Sequence, residues 1–128
     1  MERKDGCCRS GDTATVLACS GGSNVGQITN EVARLLDSEG SARMFCLAGV
    51  GGHIDGMVAS VEGTDSVLVL DGCPVGCAKA TMEAAGLREH EYLVVTELGI
   101  EKKHDLALNA ADVDRVLEES RSRLSGSS

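Results

Sequence analysis

At 128 residues the chain is sized for one domain, large enough to bury roughly two-thirds of its unfolded surface without disulfides. Its 20 acidic against 12 basic residues give a formal net charge of −8, which argues against a nucleic-acid partner, because recognition of a polyanion needs a basic stripe. No run approaches the roughly 20 apolar residues of a membrane span, and the polar start MERKDGCCRSGD lacks the apolar block of a secretory signal, so a cytoplasmic protein with no membrane partner is expected.

Residues 1–12, which include the vicinal Cys7 and Cys8, read as a mobile tail, 13–124 as a single α/β metal-binding domain and 125–128 as a flexible tail. TATVLACS, from Thr13 to Ser20, is a short β-branched and aliphatic run that enters the glycine loop GGSNVG, the pattern of a buried strand. In QITNEVARLLDSEG, Ile28, Val32, Leu35 and Leu36 recur at helical spacing and Gly40 is placed to end the helix, while Ser20, Ser23 and Asn24 are placed to cap its start. ARMFCLAGVGG repeats the strand-then-glycine theme, and IDGMVASVE suits a short helix. DSVLVLDGC is the clearest strand. Pro74 suits the first turn of a helix running through VGCAKATMEAAG to Gly86, with Cys73 as its N-cap. YLVVTEL reads as a fourth strand, and NAADVDRVLEESRSRL as a final helix with Asn109 or Asp112 at its start and Val113, Val116, Leu117 and Leu124 on one face. His90 and His104 lie in charged surroundings and read as solvated. Strands alternating with helices predict a small doubly wound three-layer sandwich around a mainly parallel four-stranded sheet, in the order 2-1-3-4. With only Phe45 and Tyr92 aromatic, its core is aliphatic.

That architecture places the cysteines. Cys19, Cys46 and Cys73 each fall at a strand's end, 27 residues apart in both intervals, and Cys77 follows in the next helix, facing the same way as Cys73. In a parallel sheet all carboxyl ends share one edge, so the four thiols arrive at one rim. In a reducing compartment they read as metal ligands or reactive thiols. Four thiolates suit a tetrahedral zinc ion at Zn–S distances of about 2.3 Å, and iron or an iron–sulfur cluster accepts the same donors. The resulting charge of about −2 calls for positive compensation, which the N–H groups at the two helix starts are placed to give. His53, seven positions after Cys46, is the reserve ligand. All-cysteine coordination leaves no open position for hydrolysis, so a sensor or carrier is the better expectation than a hydrolase.

CSGGSNVGQ, CLAGVGG, DGCPVGCAK and TELGIEKKHD, spread over most of the chain, resemble the DGC domain family, named for the central Asp-Gly-Cys, here Asp71, Gly72 and Cys73. The resemblance implies a zinc-binding protein with four candidate chelating cysteines, which match Cys19, Cys46, Cys73 and Cys77. It implies no activity.

Two other readings stand beside the metal. A C-x₃-C pair at a helix start, Cys73 and Cys77, can work as a reactive dithiol in disulfide reduction or sulfur transfer, with Cys19 or Cys46 as the resolving thiol. The glycine loop after the first strand can also cradle phosphate. However, it lacks the G-K-[ST] ending of a Walker A loop, it is not G-x-G-x-x-G, and Asn24 and Val25 break its likeness to an ATP-pyrophosphatase loop. Asp71 is expected to accept hydrogen bonds from nearby loop N–H groups.

Overall fold

The computed structural model describes residues 14–126. The N-terminal tail with Cys7 and Cys8 and the last two residues lie outside the described residues. In chain order the elements are β1 (Ala14–Ala18), α1 (Asn24–Ser38), β2 (Arg43–Met44), α2 (Leu47–Gly51), α3 (Asp55–Glu62), β3 (Ser66–Asp71), α4 (Cys77–Ala84), β4 (Glu91–Val94), a 3₁₀ turn (Val95–Leu98) and α5 (Ala110–Gly126).

The four strands form one parallel sheet in the order β2-β1-β3-β4. This is the expected 2-1-3-4 arrangement. β1 pairs with β3 along its whole length, from Ala14 opposite Ser66 to Ala18 opposite Leu70. Because side chains alternate across a strand, Val16, Ala18, Leu68 and Leu70 face one layer, built from α1 and α5, whereas Leu17, Val67 and Val69 face the other, built from α2, α3 and α4. The sheet is thus covered on both faces, as a parallel sheet requires.

α1 buries Val25, Ile28, Val32 and Leu36 completely, each contributing about 1.5–3 kcal/mol by leaving water. Ser23 caps it by accepting from Gly26 N at 3.1 Å, and Gly40, at φ +82°, ends it while Ser41 N reaches back to Leu36 O. Arg121 of α5 grips Glu39 just beyond α1, and with Ser41 it pulls that carboxyl down to about 2. Asn109 caps α5 through the N–H of Asp112.

The structure departs from the sequence expectations at four places, the first being the expected strand YLVVTEL, which ends at Val94 and continues as the 3₁₀ turn Val95–Leu98. The second strand ends at Met44: Phe45 N still bonds Val16 O, but Cys46 is already the residue from which α2 starts, so it lies beyond the strand. The helix expected from Pro74 begins three residues later, at Cys77. Pro74 sits instead in a turn closed by Gly76 N on Cys73 O, for which proline second and glycine fourth are favoured residues. Gly76, at φ +70°, then swings the chain into α4, so Cys73 is no N-cap and does not share a helix face with Cys77. Finally, His90 is exposed but not simply solvated, since its Nδ1 accepts from Val67 N at 2.9 Å, extending the ladder between β3 and β4.

Candidate functional site

The topological switch of a doubly wound sheet lies between the strands whose helices leave to opposite faces, here β1 and β3. Two glycines, Gly72 and Gly26, let the chain close over that point. A Cβ on Gly72 would stand 2.8 Å from Gly26 N, and one on Gly26 would stand 2.5 Å from Gly21 O. The loop after β1, the first turn of α1 and the loop after β3 are therefore packed backbone on backbone, which only glycine permits.

Around this junction stand the four cysteines. Cys19 follows β1 directly, Cys46 and Cys73 lie two residues past β2 and β3, and Cys77 opens α4, so all four are at the carboxyl edge. Their surroundings differ. Cys19 and Cys46 line one open cleft of about 590 Å³ with Phe45 and Leu47. Cys19 is half-buried, and its Sγ lies 3.7 Å from Thr29 Oγ1. That hydroxyl directs its one proton to Gly26 O at 2.6 Å and also accepts from Ser20 N, so the thiol is the donor in the sulfur contact. Ser20 is held in the left-handed region, φ +53°, by this bond and by its own hydroxyl donating to Asn30. Cys73 packs partly on the α1–α5 side of the sheet, and Lys102 Nζ donates to its sulfur at 3.4 Å. Cys77 is exposed.

Four of the helix-terminal N–H groups expected to face the sulfurs are engaged elsewhere. At α1, Asn24 N donates to Lys103 O and Gly26 N to Ser23 Oγ. At α4, Ala78 N and Lys79 N donate to the two oxygens of Asp71, at 2.8 and 3.0 Å. Asp71 is buried, and its carboxylate also accepts from Tyr92 O–H at 2.7 Å. Burial, reinforced by the bond to Asp71 and its charge, raises the Tyr92 pKa. Asp71 does accept from backbone N–H groups, but those of the first turn of α4 rather than of a loop as expected: it anchors α4, and with it Cys77, to the end of β3.

Sequence reasoning gave one residue here the wrong role and missed another. Asn24 does not cap α1 with its side chain. Its amide donates to Glu101 O at 2.8 Å and accepts from Lys103 N at 2.6 Å, pinning the exposed segment that follows the 3₁₀ turn. Lys102, between those two pinned neighbours, is the other. The only sequence signal for either was their place in the motifs GGSNVG and TELGIEKKHD.

By donor chemistry four thiols suit a soft ion. By position they do not meet around one point: among the described residues no three His, Cys, Asp or Glu side chains are grouped so that they could hold a metal, and this includes His53, exposed at φ +56° beyond α2. Among the described residues no helix is long and apolar enough to cross a membrane.

Fold and rim together define a small doubly wound α/β protein that displays cysteines at the switch edge of its sheet. The DGC domain model matches residues 15–120, and the chain belongs to that family. It is 36% identical over 104 residues to the anaerobic and virulence modulator AnvM of Pseudomonas aeruginosa, an alignment covering 81% of this chain and 79% of that protein. No solved structure matches it.

Proposed function

We propose that the protein is a metal-binding sensor or carrier that takes a soft ion, zinc first, through Cys19, Cys46, Cys73 and Cys77. The observation that carries the reading is the placement of four thiols, from three separate segments, at one edge of a sheet to whose core Cys46 and Cys77 contribute nothing. An ion met by loops that must close on it is exchangeable, unlike the staple of a zinc finger, around which the fold forms. The bound ion would supply electrostatic cross-linking of the loops and no open position for chemistry. A relative named as a modulator fits a responsive role better than a catalytic one. A reducing cytoplasm is the compartment this reading requires, since it keeps the thiols available.

Elemental analysis and an absorption spectrum of anaerobically purified protein test it. About one zinc per chain in a colourless protein is expected, with sharp loss in each Cys→Ser variant; a brown, iron-containing protein would change the metal. Full metal retention in Cys73→Ser would sink the reading.

The contact of Lys102 with Cys73 favours a second reading, in which Cys73 and Cys77 form a reversible dithiol. Metal-free protein under mild oxidant would then lose two hydrogen atoms, two protons and the two electrons the oxidant takes, as an intramolecular disulfide forms, and persistence of both free thiols would remove it.

A further inference from the structure

TELGIEKKHD is the family motif that carries no cysteine. It follows β4, and residues 101–111 that continue it are exposed throughout. Its path is nevertheless fixed at one point. Asn24 makes three bonds to it, through Asn24 N to Lys103 O at 3.0 Å, through its amide nitrogen to Glu101 O at 2.8 Å, and through its amide oxygen from Lys103 N at 2.6 Å. The residues on either side of Lys102 are thereby held against the first residue of α1, and the lysine between them reaches the Cys73 sulfur.

Lys102 is notable for what it does not pair with. The chain carries 20 carboxylate side chains against 12 Lys and Arg, yet no carboxylate among the described residues lies within ion-pair distance of its Nζ. An ammonium has three donors and no acceptor, so its bond falls on a sulfur lone pair. Much of the expected alternative source of positive charge is already spent, because the N–H groups of Asn24 and Gly26 in α1 and of Ala78 and Lys79 in α4 serve Lys103, Ser23 and Asp71.

We propose that Lys102 is a positioning residue of the thiol site, and that the 101–103 segment clasped by Asn24 exists to hold its charge beside Cys73. The inference rests on the metal reading for its purpose: a thiolate cluster of about −2 is stabilised by one fixed cation. Its geometry stands apart from that reading. Lys102 touches no ion itself and acts through the sulfur it holds.

Zinc affinity of the wild type, Lys102→Gln, Lys102→Arg and Lys103→Gln would be measured by competition with a chromophoric chelator. In metal-free, reduced protein, alkylation of Cys73 by iodoacetate and by iodoacetamide would be followed by mass spectrometry, with Cys77 as internal reference. The ratio of the two rates cancels the reactive fraction of the thiol and reports the charge beside the sulfur. Lys102→Gln should lower that ratio at Cys73 about three-fold and weaken zinc about ten-fold. Lys102→Arg should retain both, and Lys103→Gln should change neither. Wild-type zinc affinity in Lys102→Gln overturns the proposal. If the wild type binds no zinc, the metal reading fails, and the ratio alone decides: a fall upholds Lys102 as the charge partner of Cys73, and an unchanged ratio overturns it.

Discussion

Asp71 ties the signature motif to the fold. Its carboxylate is 1% exposed and gathers three donors, two from the start of α4 and one from Tyr92, so it replaces a local N-cap that Gly76 cannot supply. Asp71→Ala leaves those donors without an acceptor and should cost about 3 kcal/mol in urea unfolding, whereas Tyr92→Phe removes one bond and should cost about 1 kcal/mol. Tyr92 also reports on the bond by titration, because it is the chain's single tyrosine. Its folded pKa is raised, by burial first and by Asp71 second, above the unfolded value of about 10. The stability this provides is therefore fully present below pH about 10 and is lost as pH rises beyond it. The native protein should show no tyrosinate absorbance at pH about 11, where the urea-unfolded chain does. A native titration near pH 10 would mean that Asp71 does not hold the phenol.

At the scale of elements, the site depends on two loops and a helix end meeting without side chains between them. Gly72→Ala would drive a methyl to 2.8 Å from Gly26 N and Val25 C, backbone that cannot yield without moving α1, so a loss of about 1–3 kcal/mol is expected. Gly22→Ala, in the same loop system, meets nothing within 4 Å, and thermal unfolding should find it within about 0.5 kcal/mol of wild type. The contrast separates close approach from mere loop glycine. It also shows what the sequence could reveal. Alternating VLVL in β3, the helical spacing of Ile28, Val32 and Leu36, and the glycines at 40 and 86 made the sheet order and the carboxyl-edge position of the cysteines legible, because those features are local and periodic. The start of α4 was not legible, since its cap comes from a carboxylate six residues before the helix. Nor was the pairing of Lys102 with Cys73, which spans 29 residues through an irregular segment, or that of Asn24 with Lys103, which spans 79. Hydrophobic period carries no information about such contacts.

Over the whole molecule, the division between a closed core and an open rim decides what metal removal should do. Leu17, Leu68, Val69 and Leu70 are fully buried, and the helices on both faces complete their packing without any contribution from Cys46 or Cys77, which are exposed. The sheet's edges are closed within the chain as well: Asp37 accepts from Met44 N on β2, and Arg123 donates to Tyr92 O on β4. A domain built this way holds its strands by burial and ladder bonds alone, while residues 19–26, 46–53 and 72–77 carry whatever order an ion adds. Hydrogen exchange with and without chelator should therefore leave β1 and β3 protected and change protection in those three loops only. Within the loops the effect should be graded. Gly26 N and Ala78 N, already bonded to Ser23 and Asp71, should stay slow to exchange, while the amides of Cys46 and Val75 respond most, because the chain gives them less to lean on. Collapse of protection across β1 and β3 on chelation would make the ion a structural staple, and the thiol rim would then be part of the scaffold.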